Sequence, residues 1–250
     1  MDIISSTVAW FTDPAQWSGP DGIPVRLAEY VVVALGSLGI AIALALPLGL
    51  WIGHTGRGAR WAVGLANLGR AVPTLAVIAI VAPFTALLDP NLGFTVYPTV
   101  IAMVLLAIPP ILVNAYVGIH EVDRELVEAA RGMGLRERQI LDGVELPLAL
   151  PVVVGGLRAA AVTVLATTTL GAIFGLGGLG RYLVDGIAQQ DTGQTWGGVV
   201  LVATLVLLSE SVFALAQRRL TSPGLRGPGA GSIPLREPTQ LAPAGVEAGR

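Results

Sequence analysis

The sequence predicts an all-α integral membrane protein of about five transmembrane helices. The amino terminus lies outside, the carboxyl terminus lies in the cytoplasm, and a cytoplasmic loop with a short helix joins helices 3 and 4. Three observations carry this reading. Hydrophobic residues make up 53% of the 250 residues and charged ones 13%, about half the charge usual in soluble domains, and mean hydropathy is +0.72. The apolar residues gather in runs close to the roughly 20 residues a helix needs to cross about 30 Å of hydrocarbon. The arginines fall mainly in alternate connections between those runs, and arginine marks the cytoplasmic side.

The first 24 residues carry Asp2, Asp13, Pro14, Pro20, Asp21 and Pro24 without a basic start or a continuous apolar stretch, so they do not resemble a cleaved signal peptide. Trp10, Phe11 and Trp17 sit among polar residues, as interfacial aromatics do. Residues 1–26 are therefore expected to form an extracytoplasmic segment. The apolar runs follow at Tyr30–Ile52, Ala71–Leu88, Val96–Val117, Leu146–Phe174 and Trp196–Ala216. Between the first two runs, the segment His54–Arg60 carries Arg57 and Arg60. Between the third and fourth lie Arg124, Arg131, Arg136 and Arg138, and after the fifth come Arg218 and Arg219. The alternate connections hold only Arg181, and the amino-terminal segment only Arg26. Residues 221–250, with five prolines and six glycines and no apolar periodicity, read as a disordered cytoplasmic tail.

Composition also excludes chemistry. There is no cysteine, hence no disulfide, thiolate metal site or cysteine nucleophile. There is no lysine either, which removes the phosphate-binding lysine of a P-loop. A net charge of −2 offers no surface for nucleic acid. His54 and His120 stand apart, so no metal site is expected. Gly175–Gly180 (GLGGLG) fits G-x-G-x-x-G, yet it follows an apolar helix and lacks the acidic residue of a βαβ unit. It reads as an outer-gate turn or a close helix packing.

The segment from Glu121 to Pro151 is the one long charged stretch before the tail. Ile119, Val122, Leu126, Ala129 or Ala130, and Met133 recur at spacings of three and four, an apolar stripe on a helix. Glu121, Glu125 and Glu128 fall on another face. Gly132 and Gly134 offer a stop, Leu135–Val144 reads as a second short helix, and Pro147 as the turn into the fourth span. A helix, a glycine turn and a second helix suit docking to a soluble partner.

Glu128-Ala129-Ala130, three residues, Gly134, nine residues, Val144, one residue, then Leu146-Pro147 resembles the EAA loop of permease subunits of binding-protein-dependent ABC importers. Val144 stands where the family has isoleucine. The resemblance runs from about Leu27 to Leu220, the expected transmembrane domain 27–220. Ala45–Gly49 (ALPLG), Val72-Pro73-Thr74, Ile108–Gly118 (IPPILVNAYVG) and GLGGLG resemble the branch that imports glycine betaine, choline, carnitine or related osmoprotectants.

The resemblance implies a multi-pass protein of a bacterial cell membrane with no catalytic residues and no cofactor of its own. ATP and Mg would bind on the partner ATPase. The implied partners are two ATPase subunits, a second permease copy or paralogue, an extracytoplasmic substrate-binding protein and membrane lipid. Glu128 would anchor the docked helix, Ala129 and Ala130 would permit close approach, and Gly134 would turn the chain. An importer of methionine or another amino acid is the alternative within the family. A self-contained ion-coupled transporter or channel would place acids along its path, and only Glu210 lies well inside a run.

Tyr116 and the threonines Thr167, Thr168 and Thr169 are candidates for lining the pathway, although threonine in an apolar helix commonly bonds back to its own carbonyls. Glu210 lies eight residues before Arg218, about 12 Å deep at 1.5 Å per residue. It should need a partner, and Arg158 or Arg70 falls at comparable depth, with Arg158 favoured.

Overall fold

The structure is a computed structural model that describes residues 2–60, 64 and 72–220. Every regular element among them is helical. Arg70 and the tail 221–250 lie outside the described residues.

Helix α1 (Ile3–Thr12) leads into a 3₁₀ turn whose start is capped by Asp13, the carboxylate accepting from Ala15 N at 2.9 Å. Trp10 is buried, edge-on to Phe11 and Tyr182 with centroids 5.0 and 5.1 Å away. It is thus a core residue and not an interfacial one. Trp17 stays exposed.

Helix α2 (Ile23–Thr55) begins seven residues before the predicted run. Its inward face is Tyr30, Ala34, Leu38, Ala41, Ala45 and Ile52, a three-and-four spacing. Helix α3 (Thr74–Ala86) is described for 13 residues, about 20 Å at the helical rise and by itself too short to cross. Helix α4 (Val96–His120) matches the third run. Four of the described helical segments are long and apolar enough to span a membrane, against the five predicted. The difference falls at the second run, part of which lies outside the described residues.

After the loop helices α5 (Arg124–Gly132) and α6 (Glu137–Ile140), a π turn over Leu141–Glu145 runs straight into α7 (Leu146–Thr167). The predicted turn at Pro147 is absent. Proline lacks an N–H and crowds the carbonyl four residues back. The wider π register, with Leu146 N bonding to Leu141 O, comes immediately before it, and Pro147 takes the first turn of α7, where the missing donor costs nothing. A 3₁₀ stretch over Thr168–Phe174, helix α8 (Gly180–Gln189) and helix α9 (Thr192–Leu220) complete the chain.

Helices α2, α4 and α7 form the centre, with α9 against α7 and α8, and α1 against α9. The interior is rich in small side chains, among them Ala41, Ala107, Ala115 and Ala160. That is expected where lipid removes the hydrophobic drive between helices and close packing must hold them. On α2, Gly49 and Gly53 lie against α4. A β-carbon at Gly49 would stand 2.7 Å from Ala115 Cβ, and one at Gly53 would stand 2.7 Å from Ile119 Cβ and 2.9 Å from Tyr116 O.

Candidate functional site

The loop between α4 and α7 is a small folded unit. Asp123 ends α4's influence and starts α5, its carboxylate accepting from Glu125 N at 2.9 Å. The helix therefore restarts in a new phase at Arg124, and the predicted stripe does not survive. Val122, Val127, Ala130 and Ile140 are buried together, with Leu135 and Val144 packed on them. Leu126 and Met133 are 49% and 75% exposed.

The two alanines of the motif consequently part. Ala129 joins Leu126 and Met133 on an outward face, whereas Ala130 is 2% exposed inside the loop. Ala130 permits close approach within the loop itself, a correction to the expectation that both alanines serve a partner. Glu128 is exposed.

Gly134 has φ +83. Its N–H donates to Arg131 O at 2.9 Å, and Leu135 N to Ala130 O at 3.2 Å, closing α5 through a left-handed residue. Arg136 N donates to Gln139 Oε1 at 2.9 Å at the start of α6, which is shorter than the predicted Leu135–Val144 helix because the π turn takes its second half. Leu146 packs with Ile119, Ala149 and Val153, so Val144 and Leu146 hold the loop to the bundle, while Pro147 is exposed.

The end of α2 reaches this loop. His54 Nδ1 lies 2.5 Å from Glu145 Oε2, and His54 Nε2 lies 3.2 Å from Glu137 Oε2. Arg131 in turn grips Glu137 with two bonds, Nε to Oε1 at 2.7 Å and Nη2 to Oε2 at 2.9 Å. That carboxylate raises the Arg131 guanidinium above the ordinary arginine value. His54, Arg131 and Glu137 of this network line an open cleft of about 480 Å³ together with Trp51, Arg57, Arg138 and Leu141. The sequence sets His54 aside as a metal ligand and offers it no partner. The overlooked signal was Glu145, an acid set among apolar residues at a span boundary.

An outward apolar and acidic helix face, closed by a glycine turn and pinned to two spans, is suited to docking and to passing on displacement. Residues 45–227 match the family model described as binding-protein-dependent transport system inner membrane component. The chain belongs to this family.

The permease is 32% identical over 202 residues to the carnitine transport permease protein OpuCB of Listeria monocytogenes, covering 81% of this chain and 89% of that one. It is 31% identical over 198 residues to the choline transport system permease protein OpuBB of Bacillus subtilis, covering 79% and 88%. It is 33% identical over 195 residues to the osmoprotectant import permease protein OsmW of Salmonella typhimurium, covering 78% and 89%. In fold it is similar to a chain of the inward-facing MetNI methionine ABC transporter, with TM-score 0.72, 24% identity and coverage of 84% and 100%. The permease is thus a multi-pass inner-membrane component, not an enzyme.

Its other candidate residues are dispersed. At the end of the bundle away from the loop, the GLGGLG turn has Gly175 at φ +85 and Gly178 at φ +80. Gly178 N donates to Glu29 Oε2 at 2.7 Å, Glu29 pairs with Arg26 at 3.0 Å, and Arg26 also pairs with Asp21. The turn is clamped to the start of α2.

Tyr116 stacks on His120 with centroids 5.2 Å apart. Thr167, Thr168 and Thr169 stand at the change from α to 3₁₀ helix, not in mid-helix. Thr168 is buried and donates to Val164 O at 2.7 Å, and Thr169 donates to Ala166 O at 3.1 Å.

The structure brings Arg158 Nη2 and Glu210 Oε1 into an ion pair between α7 and α9. In a membrane such a pair should act as a unit. A double-mutant cycle on thermal stability in detergent is expected to show Arg158→Ala plus Glu210→Ala losing no more than the worse single variant. Additive losses would mean the pair contributes nothing.

Proposed function

We propose that this permease forms the membrane pathway of an ATP-driven importer of a quaternary-ammonium osmoprotectant: glycine betaine, choline or carnitine. The carrying observation is that relatives at 31 to 33% identity over most of their length are named for carnitine, choline or osmoprotectants. The loop geometry supports the route of energy input. Glu128, Ala129, Leu126 and Met133 face outward for an ATPase to grip, and Gly134, Val144, Leu146 and Pro147 set that face on α7. ATP and Mg act on the ATPase chains. An extracytoplasmic protein delivers the solute, and two ATPases drive two permease chains, identical or paralogous.

In this arrangement residues 1–26 and the 89–95 connection face outward, and the α5 loop and the tail after Leu220 face the cytoplasm. The chain lacks cysteine, so single cysteines at Asn91 and Ser222 should react with an impermeant thiol reagent from opposite sides. Labelling of both from outside would overturn this topology. For the solute, the permease is coexpressed with the products of its neighbouring open reading frames in cells lacking other osmoprotectant uptake. Labelled betaine, choline or carnitine should enter and not be displaced by methionine. Entry of methionine alone would make the permease an amino-acid importer.

A further inference from the structure

We infer that His54 and Glu145 are positioning residues that join the α5 loop to the cytoplasmic end of α2, so that a displacement of α5 is delivered to α2 as well as to α7. The inference rests on reading α5 as the ATPase contact.

Glu145 is 1% exposed and is the only charged side chain among the described residues that is buried to this degree. It sits on the π turn, immediately before the first residue of α7. Its partner His54 comes from α2, 91 residues away in the chain, at 2.5 Å. Removing one member of a buried hydrogen-bonded pair leaves the other without its partner, so the two surfaces are held to one geometry. The second ring nitrogen of His54 faces Glu137, which Arg131 grips from the last turn of α5. A continuous series therefore runs from α5 through Arg131, Glu137 and His54 to Glu145, touching α6, α2 and the π turn.

Trp51 and Thr55 of α2 and Arg138 and Leu141 of the loop line the neighbouring cleft together with His54, Arg131 and Glu137, and Leu50 of α2 and Leu141 of the loop pack on a shared apolar cluster. The polar series adds directed contacts to that packing. Coupling carried by packed and hydrogen-bonded elements is what moves spans as bodies.

The test uses spin labels at Thr55→Cys and Arg136→Cys in the full-length, otherwise cysteine-free permease, isolated with its ATPase. Both positions are exposed. One narrow distance is expected, and it should stay unchanged when the ATPase is trapped with ATP and vanadate. His54→Ala and Glu145→Ala should each broaden it and lower the solute moved per ATP hydrolysed, and His54→Gln, whose amide can still donate to Glu145, should restore both. A narrow distance kept in both alanine variants, or a native distance that shifts on trapping, overturns the joint. If Glu145→Ala fails to fold, the contrast between His54→Ala and His54→Gln decides the matter. Failure of the ATPase to copurify with the native chain would remove the docking reading alone, because the distance without nucleotide still reports on the joint.

Discussion

Gly134→Leu is expected to abolish transport while the permease still inserts in the membrane. Gly134 sits at φ +83, where a residue with a β-carbon costs about 1–2 kcal/mol. A β-carbon there would meet nothing within 4 Å, so the penalty is one of backbone conformation and not of clearance. The chain can escape it only by reopening the turn. That breaks the Gly134 N to Arg131 O and Leu135 N to Ala130 O bonds and lifts Ala130 and Leu135 from the loop core. Since about 1.4 kcal/mol is a factor of ten, uptake should fall about tenfold or more, with permease abundance unchanged on an immunoblot. Gly132 is the internal control. It also faces open space but has no positive φ, so Gly132→Ala should keep most of the uptake. Equal losses in the two variants would show that the left-handed turn is not the point of sensitivity.

Gly53→Leu is expected to prevent stable assembly of the helix bundle. At Gly53 a β-carbon would stand 2.7 Å from Ile119 Cβ and 2.9 Å from the Tyr116 carbonyl, and a carbonyl within a helix cannot step aside without distorting the backbone. Overpacking of this kind costs about 1–3 kcal/mol or more, and it would also push His54 away from Glu145. The measurements are yield of monodisperse protein and melting temperature in detergent. Gly53→Ala should fall between native and Gly53→Leu, and Gly39→Ala on the same helix, with nothing within 4 Å, should match the native protein. A native-like melt for Gly53→Leu would mean that close contact of α2 with α4 at Gly53 is not what holds the bundle.

Both sensitive glycines were legible to different degrees. Gly134 was marked by its place in the EAA spacing. Gly49 and Gly53 stand at the four-residue interval that lets helix backbones approach in membranes, but beyond Gly49's place in ALPLG they carry no signal in the sequence, because a small residue in an apolar run signals contact only once its partner is known. The ion pair of Arg158 with Glu210 was narrowed by depth along the helices to two arginines. Depth gives position along the membrane normal and says nothing about rotation round it, so the Arg158 pair becomes visible only in the packing of α7 on α9. His54 had no such guide, since 91 residues separate it from Glu145.

By itself, the sequence determined that this protein lives in a membrane, where four of its spans begin to within several residues, and which loop carries the long charged stretch. Those features follow from local composition and spacing, which lipid thickness and helical rise convert directly into structure. Only the tertiary structure decided which face of α5 points outward, that Ala129 and Ala130 serve different surfaces, that Pro147 continues a helix behind a π turn, and that α2 is tied to the loop through His54. Each of these depends on the phase at which a helix restarts or on the partner that another segment brings. Phase is reset by a single cap such as Asp123, and partners are fixed by how whole helices pack, which no window along the chain contains.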